Sequence, residues 1–144
     1  MSELEFLGDV HADGRHRWSQ ADLDDAPAAA RVDDLSSVAP GRQGRGVLFR
    51  WLLSEARPGD GARFACLESS DGSFAASIEL ADLEHAIVVH AGDGGPLTPE
   101  QGGPFRFLVP GATDACGNIK QLGRVTLGAT PDRDTRPPVE ERTC

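Results

Sequence analysis

The chain has 144 residues, 39% of them hydrophobic, and its 23 acidic and 14 basic residues give a formal net charge of −9. This acidic balance argues against nucleic acid or an anionic membrane surface as the main partner, because both attract clusters of Lys and Arg. Since no apolar run approaches the roughly 18 residues of a membrane span and the first residues lack a secretory signal, we expect a cytoplasmic protein with no membrane partner.

The first half of the chain predicts one strand and two short helices. Residues 4–10 have the composition of a strand, and Ser19 followed three residues later by Asp22 is typical of a capped helix start. Residues 26–46 are polar and rich in Pro and Gly, which predicts a long loop. Apolar residues at helical spacing then predict a helix over residues 47–56, ended by a Pro-Gly pair.

The second half predicts mostly strands. Five segments have strand-like composition: residues 62–67, 74–80, 87–90, 105–109 and 123–127. The first two flank Ser70-Asp71-Gly72, which is a strong hairpin signal. Strands interleaved with short helices predict one α+β domain, built on a mixed β-sheet, over residues 3–128. Residues 129–144 are charged and rich in proline, which predicts a mobile tail.

The cysteines and histidines do not predict a metal site. The three cysteines are Cys66, Cys116 and Cys144. Their odd number and the lack of C-x-x-C spacing argue against both a disulfide framework and a four-cysteine zinc site. The four histidines are His11, His16, His85 and His90. Nothing in the sequence nearby supplies the three or four ligands that zinc needs, so each histidine is interpreted as a surface residue.

The most informative motif lies in residues 102–127. Gly102-Gly103-Pro104-Phe105-Arg106 is followed by the turn Val109-Pro110-Gly111, a polar loop and then Ile119-Lys120-Gln121-Leu122. This order is similar to the C-terminal part of the molybdopterin-binding domain of the sulfite oxidase family. That family has G-x-P-x-R, then V-P-G, then V-K-W-L-x-R, so a glutamine stands here where the family has tryptophan.

Three further segments resemble the same family in the correct order. Residues 18–23 are similar to its first helix, residues 46–53 to the helix that follows its cofactor loop, and residues 70–80 to its hairpin. The resemblance therefore covers residues 4–127. It implies the mixed α+β fold of the family and the location of a molybdopterin site.

The resemblance also predicts a loss of metal binding. In the family, a cysteine thiolate in the loop before the second helix binds molybdenum. The corresponding residues 33–41 contain no cysteine, and Ser36 or Ser37 stands at roughly that place. A serine alcohol is harder to deprotonate than a thiol, but serine does ligate molybdenum in other enzyme classes. Cys116-Gly117-Asn118 resembles the family's C-x-G-N metal-ligand sequence; because it follows the V-P-G turn, it is interpreted as a loop thiol.

Four other residues are candidates for binding a cofactor or anion. Arg106 offers a planar fork for phosphate, and Lys120 offers a compact charge; the alternative for Arg106 is an ion pair with a carboxylate. Gln101 stands where the family often has a histidine that contacts the pterin. Asp71 is similar to a family aspartate near the pterin, although an aspartate before glycine in a hairpin needs no ligand to explain it.

Three functions follow from these observations. The first is a shortened molybdopterin-domain-like protein without redox catalysis, acting as a binding or accessory module for an unspecified protein partner and a small anion or pterin phosphate. In that case no catalytic residue, metal ligand or bound cofactor is expected. The second is an active oxidoreductase of the sulfite oxidase type, in which the molybdenum cofactor has atypical ligation. The third is a purely structural interaction domain.

Overall fold

The computed structural model describes residues 3–38, 43–92, 94–110 and 119–135. Within these ranges the strands are β1 Leu4–Gly8, β2 Arg17–Trp18, β3 Arg31–Val32, β4 Arg45–Leu48, β5 Phe64–Ser69, β6 Ala75–Glu79, β7 Ile87–Gly92, β8 Gly95–Pro96, β9 Arg106–Leu108 and β10 Leu122–Gly128. The helices are α1 Gln20–Asp24 and α2 Phe49–Ala56, and 3₁₀ turns lie at Ala28–Ala30, Leu35–Ser37, Leu80–Leu83 and Pro99–Gln101. No helix in these ranges is long and apolar enough to cross a membrane.

The described strands form two five-stranded sheets rather than the single mixed sheet expected from the sequence. The first sheet has the order β2-β1-β10-β5-β6, in which β1 and β10 are parallel and the other pairs are antiparallel. The second has the order β3-β4-β7-β8, and β9 also pairs with β7. The α+β class with short helices is confirmed. The number of sheets was not predictable, because strand composition does not specify which strands pair.

One core connects the two sheets through the first residue of α2. The Phe49 ring stacks on Phe6 of β1 at a centroid distance of 6.0 Å and meets the edge of Phe107 of β9 at 5.1 Å. All three side chains are at most 1% exposed. Aromatic pairs of this kind contribute about 0.5–1.5 kcal/mol beyond the burial of their area. Phe49 therefore holds β9, which begins with Arg106, against the first sheet.

The start of α1 confirms the predicted helix cap. The Ser19 hydroxyl accepts from the backbone N–H of Asp22 at 3.2 Å, and the Asp22 carboxylate accepts from the Ser19 N–H at 2.7 Å. These two bonds satisfy donors that a helix start leaves without partners. The hydrogen bond from the Ser19 N–H to the carboxylate also lowers the pKa of Asp22. Leu23 is then buried in the core.

The second helix begins two residues later than expected. Val47 and Leu48 belong to β4, where they pair with β7, and α2 starts at Phe49. The apolar residues that suggested a helix include two residues of β4. Over such a short run, the apolar spacing of a helix cannot be distinguished from that of a buried strand. The helix ends as predicted, before the Pro-Gly pair, with Arg57 in the left-handed conformation at φ 58°.

The polar segment 26–46 is not one continuous loop. It contains the short strand β3 and the first residues of β4, which pair with each other. The predicted hairpin is confirmed, since β5 and β6 are antiparallel on either side of Ser70-Asp71-Gly72. The turn signal and the family resemblance both located this hairpin, whereas the polar composition of residues 26–46 gave no indication of β3.

The residues after β10 run back along β6. The Thr135 N–H donates to the Ala75 carbonyl at 2.8 Å. The domain boundary at residue 128 and the mobility of the tail stay predictions. Residues 136–144 lie outside the described part of the chain.

Candidate functional site

The segment that carries Arg106 is fixed by backbone hydrogen bonds to the start of β10. The Gln121 N–H donates to the Gly102 carbonyl at 2.6 Å, and the Leu122 N–H donates to the Phe105 carbonyl at 2.8 Å. The Gly103–Pro104 peptide bond between these two contacts is cis. This arrangement places Lys120, the residue before Gln121, directly beside the turn that leads to Arg106.

Gly102 lies between the two candidate cations. Its φ is +91°, and a Cβ on it would lie 3.1 Å from Cγ of Lys120 and 3.4 Å from Cδ of Arg106. Both side-chain stems therefore approach the same point on the backbone. The left-handed conformation and the close contacts together explain why a residue without a side chain stands here. The structure thus brings Arg106 and Lys120 together.

Gln101 supports the same turn through its own backbone and side chain. Its side-chain oxygen accepts from the Thr98 N–H at 3.0 Å, as part of a capping box that starts the 3₁₀ turn. Its backbone carbonyl accepts from Nη1 of Arg106 at 3.4 Å, a long contact. Gln101 and Arg106 therefore share one wall, and the side chain of Gln101 is held in place before any ligand arrives.

A pocket of about 340 Å³ opens beside this wall. Its lining residues are Leu35, Gln43, Val89, Leu97, Gln101, Arg106 and Leu108. The size lies at the lower end of small-molecule sites, and an apolar lining with a few polar groups is typical of such sites. The pocket lies on the face of the second sheet that also carries a small apolar cluster around Val89 and Leu108. Lys120 is exposed beside the neighbouring turn and is not among the lining residues.

Ser36 and Ser37 lie next to the pocket, but their hydroxyl groups are bound to their own turn. The Ser36 hydroxyl donates to the Asp34 carboxylate at 2.6 Å, and the Ser37 hydroxyl donates to the Asp34 backbone carbonyl at 2.7 Å. A carboxylate beside the Ser36 hydroxyl disfavours an alkoxide, because two negative charges would then be in contact. Leu35, not either serine, reaches the lining of the pocket.

Asp71 lies in the β5–β6 turn and not in the pocket lining. Its carboxylate accepts from the N–H and the hydroxyl of Ser73 at 3.0 and 2.7 Å, and from the Ser69 hydroxyl at 2.8 Å. These hydrogen bonds, the Ser73 N–H first, lower the pKa of Asp71 to about 2. The contacts account for the aspartate as a turn residue.

His90 corrects the interpretation of the histidines as surface residues. It lies in β7, is 3% exposed, and its Nδ1 is 3.5 Å from a carboxylate oxygen of Asp24. Burial lowers the pKa of His90, and Asp24 opposes that effect. The Gln20 side chain donates to the backbone carbonyls of His90 and Pro104, at 3.3 and 3.2 Å. His90 and Pro104 lie 70 and 84 residues from Gln20 in the chain, so no local sequence pattern could have indicated these contacts.

No cluster of three metal-ligating side chains occurs in the part of the chain that the structure describes. Cys66 is buried in β5. Cys116, whose C-G-N sequence resembles the family's metal-ligand sequence, lies outside the described residues. The described residues that line the pocket include one cation, Arg106, and none of them is a cysteine.

Comparisons with known proteins agree with this geometry. Residues 13–135 match the profile of the oxidoreductase molybdopterin-binding domain. The NADPH nitrate reductase of Fusarium oxysporum is 36% identical over 94 residues, and that of Neurospora crassa is 33% identical over 101 residues. These matches cover 60% and 62% of this chain. The chain spans about a tenth of the length of these curated relatives, with 10% covered in each.

A solved structure gives the same fold at lower identity. The sulfane dehydrogenase SoxCD from Paracoccus pantotrophus superposes with a TM-score of 0.67 over 90% of this chain and 39% of that chain. The sequence identity is 18%, so the match concerns the fold alone. The resemblance to the sulfite oxidase type of domain, based on motifs, is confirmed by the profile and by this superposition.

Proposed function

The chain belongs to the oxidoreductase molybdopterin-binding domain family, and on that premise we propose that it is a binding or accessory module that holds a small phosphate-bearing anion at Arg106 and Lys120. The observation that carries the proposal is Gly102, against which both cationic side chains pack within 3.4 Å of one point. As an accessory module the chain would act in the cytoplasm, with a protein partner.

The chemistry of the two side chains suits a phosphate or a pterin phosphate. Arg presents a planar fork that matches two oxygens of such a group, and Lys adds a point charge. Hydrogen bonds to charged groups are worth about 1.5–3 kcal/mol each. Leu97 and Leu108 would cover the apolar part of a ligand in the pocket.

We propose further that the chain has no redox catalysis of its own. A sulfite-type reaction needs a metal held by a strong anionic ligand. The Ser36 hydroxyl donates to Asp34 and would have to lose its proton beside that carboxylate. The described residues thus favour binding of the anionic end of a molybdopterin and disfavour serine ligation of its metal.

A second candidate is an active molybdenum-cofactor oxidoreductase with atypical ligation. The similarity to the NADPH nitrate reductases favours it, since those relatives carry an enzyme name. In this case Ser36 or Ser37 would replace the cysteine. The two candidates differ in one measurable property, which is the molybdenum content of the purified protein.

Two measurements on protein from a cofactor-competent host test the proposal. Calorimetric titration with inorganic phosphate and with a pterin phosphate should show binding that Arg106→Ala weakens at least tenfold and that Arg50→Ala, on the exposed side of α2, leaves unchanged. Elemental analysis should find no stoichiometric molybdenum, and sulfite should not be oxidised. Near-equimolar molybdenum that is lost in Ser36→Ala or Ser37→Ala would establish the second candidate. Equal binding of phosphate by wild type and Arg106→Ala would contradict the anion site, and the remaining function would be that of a structural interaction domain.

A further inference from the structure

The open edge of the first sheet is covered by the segment that follows β10. Among the described residues, β6 is the last strand in that sheet, so one side of its backbone has no neighbouring strand there. Residues 131–135 lie along this side. The Thr135 N–H donates to the Ala75 carbonyl at 2.8 Å, and the Ala75 N–H donates to the Thr135 hydroxyl at 3.0 Å. The segment therefore occupies the position of an additional strand.

The contacts of this segment differ from those of a regular strand. The Ser77 N–H donates to the Asp134 carboxylate at 3.2 Å, and the Asp132 N–H donates to the Ser77 hydroxyl at 3.0 Å. Side-chain atoms thus replace backbone atoms in much of the ladder. Segments with few backbone bonds and exposed contacts open at a lower free energy than the strands of a core.

The same segment covers the thiol of Cys66. The thiol donates to the Arg133 carbonyl at 3.3 Å, and the Ser77 hydroxyl donates to the same carbonyl at 3.0 Å. Cys66 is 1% exposed, but its neighbours Ala65 and Leu67 belong to the core cluster and it does not. Because side chains alternate along a strand, Cys66 lies on the outer face of the sheet. Its burial on that face depends on the covering segment.

The ion pair of this segment contributes little to holding it. Arg133 is 3.3 Å from the Glu68 carboxylate, which is also 3.5 Å from Arg124 of β10. The Arg133 side chain is 48% exposed, and exposed ion pairs contribute about 0–1 kcal/mol. Glu68 retains Arg124 when Arg133 leaves. The hydrogen bonds that the segment makes with Ala75 and Ser77 therefore contribute most of its attachment to β6.

We propose that residues 131–135 form a releasable strap that opens while both sheets stay folded, and that its release makes Cys66 a site for thiol modification. When the strap is closed, burial raises the pKa of the Cys66 thiol, and the carboxylates of Glu68 and Asp132 add to this effect. Release removes most of the burial and moves Asp132 away. The thiolate fraction and the access of a reagent then rise together.

Alkylation of Cys66 measures the opening directly. In a Cys116→Ser, Cys144→Ser background, Cys66 is the remaining thiol, and its thiolate displaces iodide from iodoacetamide while the proton goes to the buffer. Labelling is followed at increasing urea, and global unfolding is followed by the fluorescence of Trp18 and Trp51, which pack against each other in the core. Truncation after Thr130 should give the fastest labelling. Asp134→Ala and Thr135→Ala should each speed labelling about fivefold, the effect of one lost hydrogen bond, and Arg50→Ala should have no effect.

The urea dependence and amide exchange separate release from unfolding. If the strap opens independently, labelling depends weakly on urea, and the Ala75 and Ser77 amides exchange faster than the Val125 amide of β10. Labelling with the same urea dependence as global unfolding would refute the strap. An unchanged labelling rate after truncation, with the fluorescence midpoint retained, would refute it as well. If truncation unfolds the chain, amide exchange of the full-length protein decides alone.

Discussion

Two turns beside the pocket use their polar groups in different ways. In the 3₁₀ turn Leu35–Ser37, both serine hydroxyls are bound to Asp34, and only an apolar side chain reaches the pocket. In the turn around Gly102, the backbone satisfies itself, and the cationic side chains of Arg106 and Lys120 extend from it. We call these the serine wall and the arginine wall. The difference teaches that hydroxyls bound within their own turn cannot act as ligands unless those hydrogen bonds first break.

Replacement of Gly102 by alanine should have the largest effect, because it disturbs the arginine wall itself. The residue has φ +91°, and an added Cβ meets Lys120 at 3.1 Å. A left-handed alanine costs about 1–2 kcal/mol relative to glycine. We expect Gly102→Ala to lower the unfolding free energy, measured with urea, by about 2 kcal/mol.

Gly94→Ala is the matched control, since nothing lies within 4 Å of a Cβ at that position. It should change the unfolding free energy by less than about 0.5 kcal/mol. Phosphate affinity should fall in Gly102→Ala and stay constant in Gly94→Ala. Equal stabilities of the two variants would show that the Gly102 conformation is not required.

Arg106→Lys should have the next largest effect and tests what the arginine wall recognises. The substitution keeps the charge and removes the fork that matches two phosphate oxygens. We expect phosphate to bind about fivefold more weakly, corresponding to about 1 kcal/mol. Arg124→Lys, on the outer face of the first sheet beside Glu68, is the control and should leave the affinity unchanged. Full retention of affinity in Arg106→Lys would mean that charge alone attracts the anion.

Asp34→Ala should have a smaller effect and tests the serine wall. The carboxylate caps the 3₁₀ turn by accepting from the Ser36 N–H at 3.1 Å and from its hydroxyl. Loss of such a cap costs about 1 kcal/mol. Asp33→Ala removes a carboxylate from the same loop, where it makes only an exposed ion pair with Arg31 at 3.5 Å, and should cost less. If both variants retained full stability in a urea titration, the cap would have no structural role.

The sequence predicts the strands and helices around this site better than it predicts the contacts of their side chains. The strand-like composition of residues 105–109 and 123–127 located β9 and β10, and the capping pair Ser19 and Asp22 located α1. Local chemistry determines such features, so they can be predicted from residues close in sequence. The hydrogen bonds of Gln20 to His90 and Pro104 join segments that no motif connects. Ser36 and Ser37 resembled ligands because of their place in the sequence. Their hydrogen bonds to Asp34 form only in the folded turn, so the sequence did not indicate them.

The smallest expected effect concerns Asp71. Its carboxylate, like the hydroxyls of the serine wall, is hydrogen-bonded within its own turn. Hydrogen bonds from Ser73 and Ser69 lower its pKa from the ordinary value of 3.8 to about 2. A depressed carboxylate pKa stabilises the fold above the unfolded value, and this contribution is lost as the pH falls from about 4 to about 2. Asp71→Asn cannot titrate, so its urea midpoint should fall less over that pH range than the wild-type midpoint. Asp60→Asn, another exposed aspartate, serves as the control. An identical pH dependence in wild type and Asp71→Asn would show that the hairpin does not use the carboxylate charge.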